Sequence, residues 1–176
     1  MSDNDAKPAT YSHEYLANLD ARHLVHPCGS PKGASHNPFI FESGHGVWLR
    51  DIDGNEYIDA YGAMGTMIAG YGRSDIAEVM ASQATTLAFS HCFYGYSTPP
   101  AILLAGRIAS LAPAGLTHVF FTSGGSESNE SAIKAARLYH SARGNAGKYK
   151  IISRRLAYHG LTLGTLPATG MPAFHR

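Results

Sequence analysis

The chain has 176 residues, of which 44% are hydrophobic and 15% are charged, and its formal net charge is +1. This composition is typical of one soluble globular domain with a sizeable hydrophobic core. Acids and bases are mixed along the sequence, which argues against a nucleic-acid-binding stripe and against a polybasic membrane surface.

Cysteine and histidine usage indicates a reducing compartment and no metal. Cys28 and Cys92 are far apart and lack metal-ligand spacing, and the N-terminus lacks the features of a signal peptide. Ten histidines are scattered, and adjacent His91 and Cys92 would point in different directions from a strand or a helix. No apolar run is long enough for a membrane span. We therefore predict a cytoplasmic protein without a metal site and without a membrane partner.

The N-terminal segment is predicted to hold one short helix. Residues 1–10 are predicted to be disordered, and Ser12 is a candidate cap for a helix with Tyr15, Leu16 and Leu19 on one face. Residues 26–37, rich in Pro, Gly and Ser, are predicted to form an irregular connector.

A small antiparallel meander is predicted next. Its strands lie near residues 39–43, 46–51 and 56–60, and Asp53 and Gly54 form the turn between the last two. The stretch "DIDGNEYID" resembles a calcium loop, but Glu56 stands where that loop requires glycine and Gly62 where it requires glutamate. A hairpin is sufficient to explain it.

Two amphipathic helices are predicted in the middle of the chain. The first begins near Ser74 and places Ile76, Val79, Met80 and Leu87 at helical spacing, which indicates a buried helix. The second begins with Thr98 as a cap and Pro99 in the first turn.

The last third of the chain predicts a strand, a helix and a second strand. The strands are expected at 118–121 and 151–153, with a helix from about Ser126 to His140 between them. Such a βαβ unit favours an α/β fold with a parallel sheet whose ligands bind beyond the carboxyl ends of the strands.

A glycine loop joins the first of these strands to the helix, in "FFTSGGSESNESAIKAAR". Gly124, Gly125 and Ser126 fall at a helix N-terminus, where free N–H groups and the helix dipole favour an anion such as phosphate. No lysine follows as in a P-loop, and the adjacent glycines do not fit a dinucleotide fingerprint. The alternative is a tight turn in which Ser123 or Ser126 caps the helix.

A second patch, "AYHG" at 157–160, follows the second strand. Read alone, Tyr158 and His159 are ordinary loop residues. On the same edge of the sheet as the glycine loop, an aromatic ring could stack on a flat cofactor.

Three segments together resemble, in order and spacing, the class III aminotransferases, including those acting on omega-amino acids and pyruvate. They are "GVWLRDIDGNEYIDAYG", "FFTSGGSESNESAIKAAR" and "IISRRLAYHGLTLGTLPATG". The resemblance implies fold type I and the cofactor pyridoxal 5'-phosphate (PLP). It implies that Gly124, Gly125 and Ser126 hold the cofactor phosphate and that Tyr158 stacks on the pyridine ring. His159 and Gly160 would complete the turn that follows Tyr158. Gly124 departs from the serine common in the family.

The resemblance also implies a domain division and partners. Residues 1–60 would form an N-terminal arm and small-domain meander, and residues 61–176 the beginning of the large PLP-binding α/β domain. The reaction would move an amino group from an amine or amino acid to a 2-oxo acid within a homodimer. Trp48, Tyr61, Met64 and Phe93 could line a substrate pocket or, as we favour, belong to the core.

The family's Schiff-base lysine and the aspartate beside its pyridine nitrogen lie beyond residue 176. None of the lysines present matches the family's Schiff-base position; they are Lys7, Lys32, Lys134, Lys148 and Lys150. Lys134 is expected to pair with Glu130 on the helix surface. We therefore expect an N-terminal portion that is inactive alone. Two alternatives remain open, a noncatalytic remnant that holds the phosphate, and another PLP reaction on this scaffold (aminomutase, decarboxylase or racemase).

Overall fold

The computed structural model describes residues 11–27 and 38–175. The chain divides into two compact units, residues 1–89 and 90–176. The predicted disorder of residues 1–10 and most of the predicted connector lie outside the described residues. The predicted domain boundary at residue 60 stays a prediction.

The first unit holds three helices and a three-stranded sheet. Its elements in chain order are α1 (His13–His23), β1 (Phe41–His45), β2 (Trp48–Asp51), β3 (Glu56–Ile58), α2 (Gly62–Gly65) and α3 (Ser74–Leu87). The second unit holds α4 (Pro99–Leu111), α5 (Gly125–Ala142) and two short 3-10 turns, Leu166–Ala168 and Pro172–Phe174.

Helix α1 begins as its sequence predicts. The Ser12 hydroxyl accepts a hydrogen bond from the Tyr15 amide at 3.2 Å and so satisfies one of the free N–H groups of the first turn. The helix is also tied to the sheet, because His13 Nδ1 lies 2.6 Å from Asp53 Oδ2 in the turn after β2.

The predicted meander is confirmed as an antiparallel sheet of order β1-β2-β3. Asp51 shapes its second hairpin, since its Oδ1 accepts from the amides of Asp53 at 3.0 Å and Asn55 at 2.8 Å. The Tyr57 hydroxyl donates to Oδ2 of the same carboxylate at 2.9 Å. The Asn55 side chain and these other donors lower the pKa of Asp51. Gly54 turns the chain with a φ of +88°.

The element α2, which follows β3, is a left-handed turn rather than a regular right-handed helix. Ala63 and Met64 have φ values of +46° and +60°, which non-glycine residues rarely adopt. Asp59 supports the turn by accepting from the Ala63 amide at 2.8 Å and from the Tyr61 amide at 3.2 Å. Tyr71 returns the chain to the sheet, because its backbone exchanges hydrogen bonds of 3.0 and 2.8 Å with Gly46.

The starts of α3 and α4 are confirmed, although the Thr98 side chain makes no capping hydrogen bond, and the predicted burial of α3 is wrong. Val79 on α3 is 69% exposed and Leu104 on α4 is 51% exposed. Within either unit the helices do not pack extensively against one another, so their apolar stripes lie open. The sizeable core expected from composition is likewise absent from the described part of the chain, where no hydrophobic side chain is buried.

The predicted strands at 118–121 and 151–153 are not strands here. Both segments lack ladder partners within residues 11–27 and 38–175, so no parallel sheet forms in them. A strand exists by pairing, and an apolar β-prone sequence without a neighbour cannot make that ladder. The helix predicted between them is confirmed as α5. Among the described helices, none combines the length and the apolar character that crossing a bilayer requires.

Candidate functional site

The N-terminus of α5 has free backbone donors. Gly124 occupies the cap position with an extended backbone, φ −171°, and no side chain caps the helix, so neither predicted serine cap forms. Within the described residues, the amides of Gly125, Ser126 and Glu127 have no acceptor. Together with the dipole of an 18-residue helix, they favour a bound anion.

The loop has room beside these amides. A Cβ at Gly125 would meet no atom within 4 Å, whereas one at Gly124 would lie 2.9 Å from Glu127 Oε2. The Glu127 carboxylate is the end of a flexible, exposed side chain and can move aside for a ligand. The Thr122 hydroxyl stabilises the loop by donating a hydrogen bond to the Gly124 carbonyl at 3.2 Å. The cradle therefore fits a small phosphate-sized anion.

The turn at residues 158–160 lies against this helix N-terminus. Gly160 is buried and has a φ of +124°, a conformation that favours glycine. A Cβ added there would lie 3.0 Å from Ser126 Cβ and closer still to the Ser126 hydroxyl. The two patches that the sequence predicted as neighbours are thus brought together, although no sheet edge joins them.

Asn129 and Thr169 hold this turn, and sequence reasoning did not assign either residue a role. Asn129 Nδ2 donates to the His159 carbonyl at 2.8 Å. Thr169 Oγ1 accepts from the His159 amide at 3.0 Å and donates to the Gly160 carbonyl at 2.8 Å. The signal in the sequence is weak, because Asn129 lies in an ordinary helical stretch and Thr169 in a Thr- and Gly-rich tail.

Glu130 makes a second connection between α5 and the following loop. Its Oε1 accepts from the Gly164 amide at 2.9 Å. Hydrogen bonds from the Thr162 side chain and from this amide lower the pKa of Glu130. The carboxylate is therefore used inside the fold, and the predicted surface pair with Lys134 does not form among the described ion pairs.

The Tyr158 ring is available at the surface of this turn. The side chain is 57% exposed, and Phe174 contacts it edge-on with ring centroids 6.0 Å apart at 60°. Phe174 limits the orientations of the ring and leaves area free for a flat ligand.

The side chains considered for a substrate pocket are exposed. Trp48, Tyr61 and Met64 of the first unit are 39%, 71% and 76% exposed, and Phe93 of the second unit is 70% exposed. The favoured interpretation, that they belong to the core, is therefore wrong for the chain as described. The pocket stays a prediction.

The sequence model of the family described as "Aminotransferase class-III" matches residues 30–176. The chain belongs to this family. A probable aminotransferase of Mycobacterium tuberculosis is 46% identical over 160 residues, which are 90% of this chain and 34% of that protein. The chain thus spans about a third of the length of the curated relatives it matches.

Solved structures of transaminases share the fold of this chain. An (S)-enantioselective omega-transaminase from Thermomicrobium roseum superposes with a TM-score of 0.91 at 40% identity, covering 94% of this chain and 37% of its own. The omega transaminase of Pseudomonas jessenii in complex with PMP gives a TM-score of 0.89 at 32% identity, covering 92% and 36%. The predicted α/β fold class, a partial transaminase scaffold, is confirmed.

Proposed function

We propose that this chain is the N-terminal part of a PLP-dependent aminotransferase that moves an amino group from an amine or amino acid to a 2-oxo acid. The observation that carries the proposal is the contact between Ser126 and Gly160, which joins an anion cradle to an exposed aromatic ring. A phosphorylated flat cofactor needs both features within one site. Family membership and the PMP complex of a relative support the choice of cofactor.

In this proposal each site residue has a defined task. The amides of Gly125 and Ser126 bind the phosphate, and Gly124 leaves the loop free of a side chain that would crowd it. Tyr158 stacks on the pyridine ring, and the His159–Gly160 turn fixes the ring's height above the cradle. When bound, PLP supplies the carbonyl that takes up the amino group and the ring that stabilises negative charge at the donor carbon.

The lysine that completes the chemistry lies outside these 176 residues in the proposal. Lys134 rides on α5 beyond the cradle, and Lys148 and Lys150 lie beyond the end of that helix. The homodimer and the pairing of segments 118–121 and 151–153 into a parallel sheet are proposed for the same longer protein. The division into a small domain of residues 1–60 and a large domain from residue 61 is proposed with them.

Borohydride reduction of the native gene product, followed by mass spectrometry of its lysine peptides, tests the proposal. We expect reduced cofactor on a lysine outside residues 1–176. A native product that carries no cofactor and does not bind added PLP would refute the aminotransferase assignment. A product that binds PLP reversibly but carries no cofactor on lysine would favour the noncatalytic alternative, for which the free amides of the cradle are sufficient.

A further inference from the structure

Asn129 and Thr169 hold the backbone of His159 through the two peptide groups on either side of its Cα. The Asn129 side-chain amide donates a hydrogen bond to the His159 carbonyl, and the His159 N–H donates to the Thr169 hydroxyl. Since the same hydroxyl donates to the Gly160 carbonyl, its donor and its acceptor capacity toward this turn are both in use. Every backbone hydrogen bond seen at His159 therefore ends on one of these two side chains.

Burial makes these hydrogen bonds difficult to replace. Thr169 is 1% exposed and Gly160 is buried, so water cannot readily replace the hydroxyl. Removing one partner would leave a backbone group without a hydrogen bond, which costs more than the bond itself contributes. The turn cannot adapt cheaply, because Gly160 already has an unusual φ and touches Ser126.

The backbone conformation held at His159 determines where the side chain of the neighbouring residue leaves the chain. Tyr158 directly precedes His159, and Asn129 belongs to the same helix whose N-terminus forms the cradle. Asn129 thereby connects the backbone next to the ring to the helix that carries the anion-binding amides. A ligand that spans the ring and these amides gains affinity only if their separation matches its own.

We infer that Asn129 and Thr169 are positioning residues that set the distance between the phosphate cradle and the Tyr158 ring. This inference rests on the proposed function. They touch neither the phosphate nor the ring. Their effect falls on ligands that bridge the two features and spares ligands that use the cradle alone.

The test compares isosteric changes in the full chain produced from its gene. Thr169→Val keeps the shape and removes the hydroxyl, Thr169→Ser keeps the hydroxyl, and Asn129→Leu keeps the approximate shape and removes the donor without adding a charge. Thr86→Val is the control for loss of a threonine hydroxyl, because the Thr86 hydroxyl donates to the Ser82 carbonyl within α3 and takes no part in the turn at His159.

Titrations with PLP and with inorganic phosphate give the decisive readout. We expect Thr169→Val and Asn129→Leu to raise the Kd of PLP about tenfold, while the Kd of phosphate changes less than about twofold. The induced circular dichroism of bound PLP should weaken, and the His159 amide should exchange faster in Thr169→Val. Thr169→Ser should resemble the wild type in all three measurements.

Three outcomes would overturn the inference. If the Kd of PLP were unchanged in both variants that lose a hydrogen bond, Asn129 and Thr169 would not set the distance between the cradle and the ring. Equal losses for PLP and phosphate, or an equal loss in Thr86→Val, would show a general structural role. Failure of the wild type to bind PLP would instead refute the proposed function, and the inference with it.

Discussion

The phenolic hydroxyl of Tyr71 donates a hydrogen bond of 2.6 Å to Asp59 Oδ2. Asp59 also accepts from the backbone of the left-handed turn at Ala63, so one carboxylate joins that turn to the segment that returns to the sheet. The Tyr71 hydroxyl lowers the pKa of Asp59, and the carboxylate in turn raises the pKa of Tyr71.

Tyr71→Phe should raise the pKa of Asp59 toward its ordinary value of 3.8. In the wild type the hydrogen bond from the neutral Tyr71 hydroxyl to the ionised Asp59 carboxylate contributes stability above pH 3.8, and this contribution is lost as the pH falls through the lowered pKa of Asp59. The Tyr71 side of the pair contributes below pH 10 and is lost as the pH rises through the raised pKa. Carbon NMR titration of the Asp59 carboxyl measures the change. An Asp59 pKa that is the same in both proteins would contradict the assignment, and Tyr61→Phe is a control that leaves the Tyr71 hydroxyl in place.

Gly125→Ala should separate folding from ligand binding. The added methyl meets no protein atom within 4 Å, and alanine favours a helix, so stability should be unchanged or higher by up to about 1 kcal/mol. In our proposal the methyl enters the space of the phosphate, and the Kd of PLP should rise about tenfold. Denaturant unfolding and PLP titration measure the two effects.

Gly147→Ala is the matched control, because its added Cβ also meets open space but lies in the loop after α5. It should change neither quantity. If the Gly125→Ala protein bound PLP as tightly as the wild type, the assignment of the phosphate to this loop would be wrong.

Tyr158→Ala should weaken PLP binding about tenfold, because stacking of an aromatic side chain on a flat heterocycle contributes roughly 1–3 kcal/mol. Tyr158→Phe keeps the ring and should retain most of the affinity. The absorbance and induced circular dichroism of bound PLP report on the ring environment. If Tyr158→Phe lost as much affinity as Tyr158→Ala, the hydroxyl rather than the ring would be the important group.

The chain of residues 1–176, produced alone, should expose apolar surface and unfold without a sharp transition. Val79 and Leu104 illustrate the cause, since each lies on an amphipathic helix with its apolar side open. Binding of a hydrophobic dye and a broad, weakly cooperative thermal transition are expected. A sharp cooperative melt of a soluble monomer would contradict this prediction.

Local structure was predictable wherever its cause is local. The turn at Asp53 and Gly54, the Ser12 cap and the position of Pro99 each act within a few residues, and the corresponding elements form as expected. The strands at 118–121 and 151–153 failed for the opposite reason, because a parallel ladder depends on partners that are distant in sequence.

The candidate site was predictable only in outline. Two loops that follow successive parts of one βαβ pattern were expected to meet, and Ser126 does lie against Gly160. The side chains that hold them together could not be found the same way. Asn129 and Thr169 act through hydrogen bonds across 30 and 10 residues, and their residue types carry no local signature of that contact.

The contact between Ser126 and Gly160 also constrains how this sequence can change over time. A side chain at residue 160 would enter the space of the Ser126 side chain and would demand an unfavourable φ as well. A larger residue at 126 would press on the same turn. The two positions should therefore be inherited as a pair, with a substitution at one tolerated only in lineages that have already made space at the other.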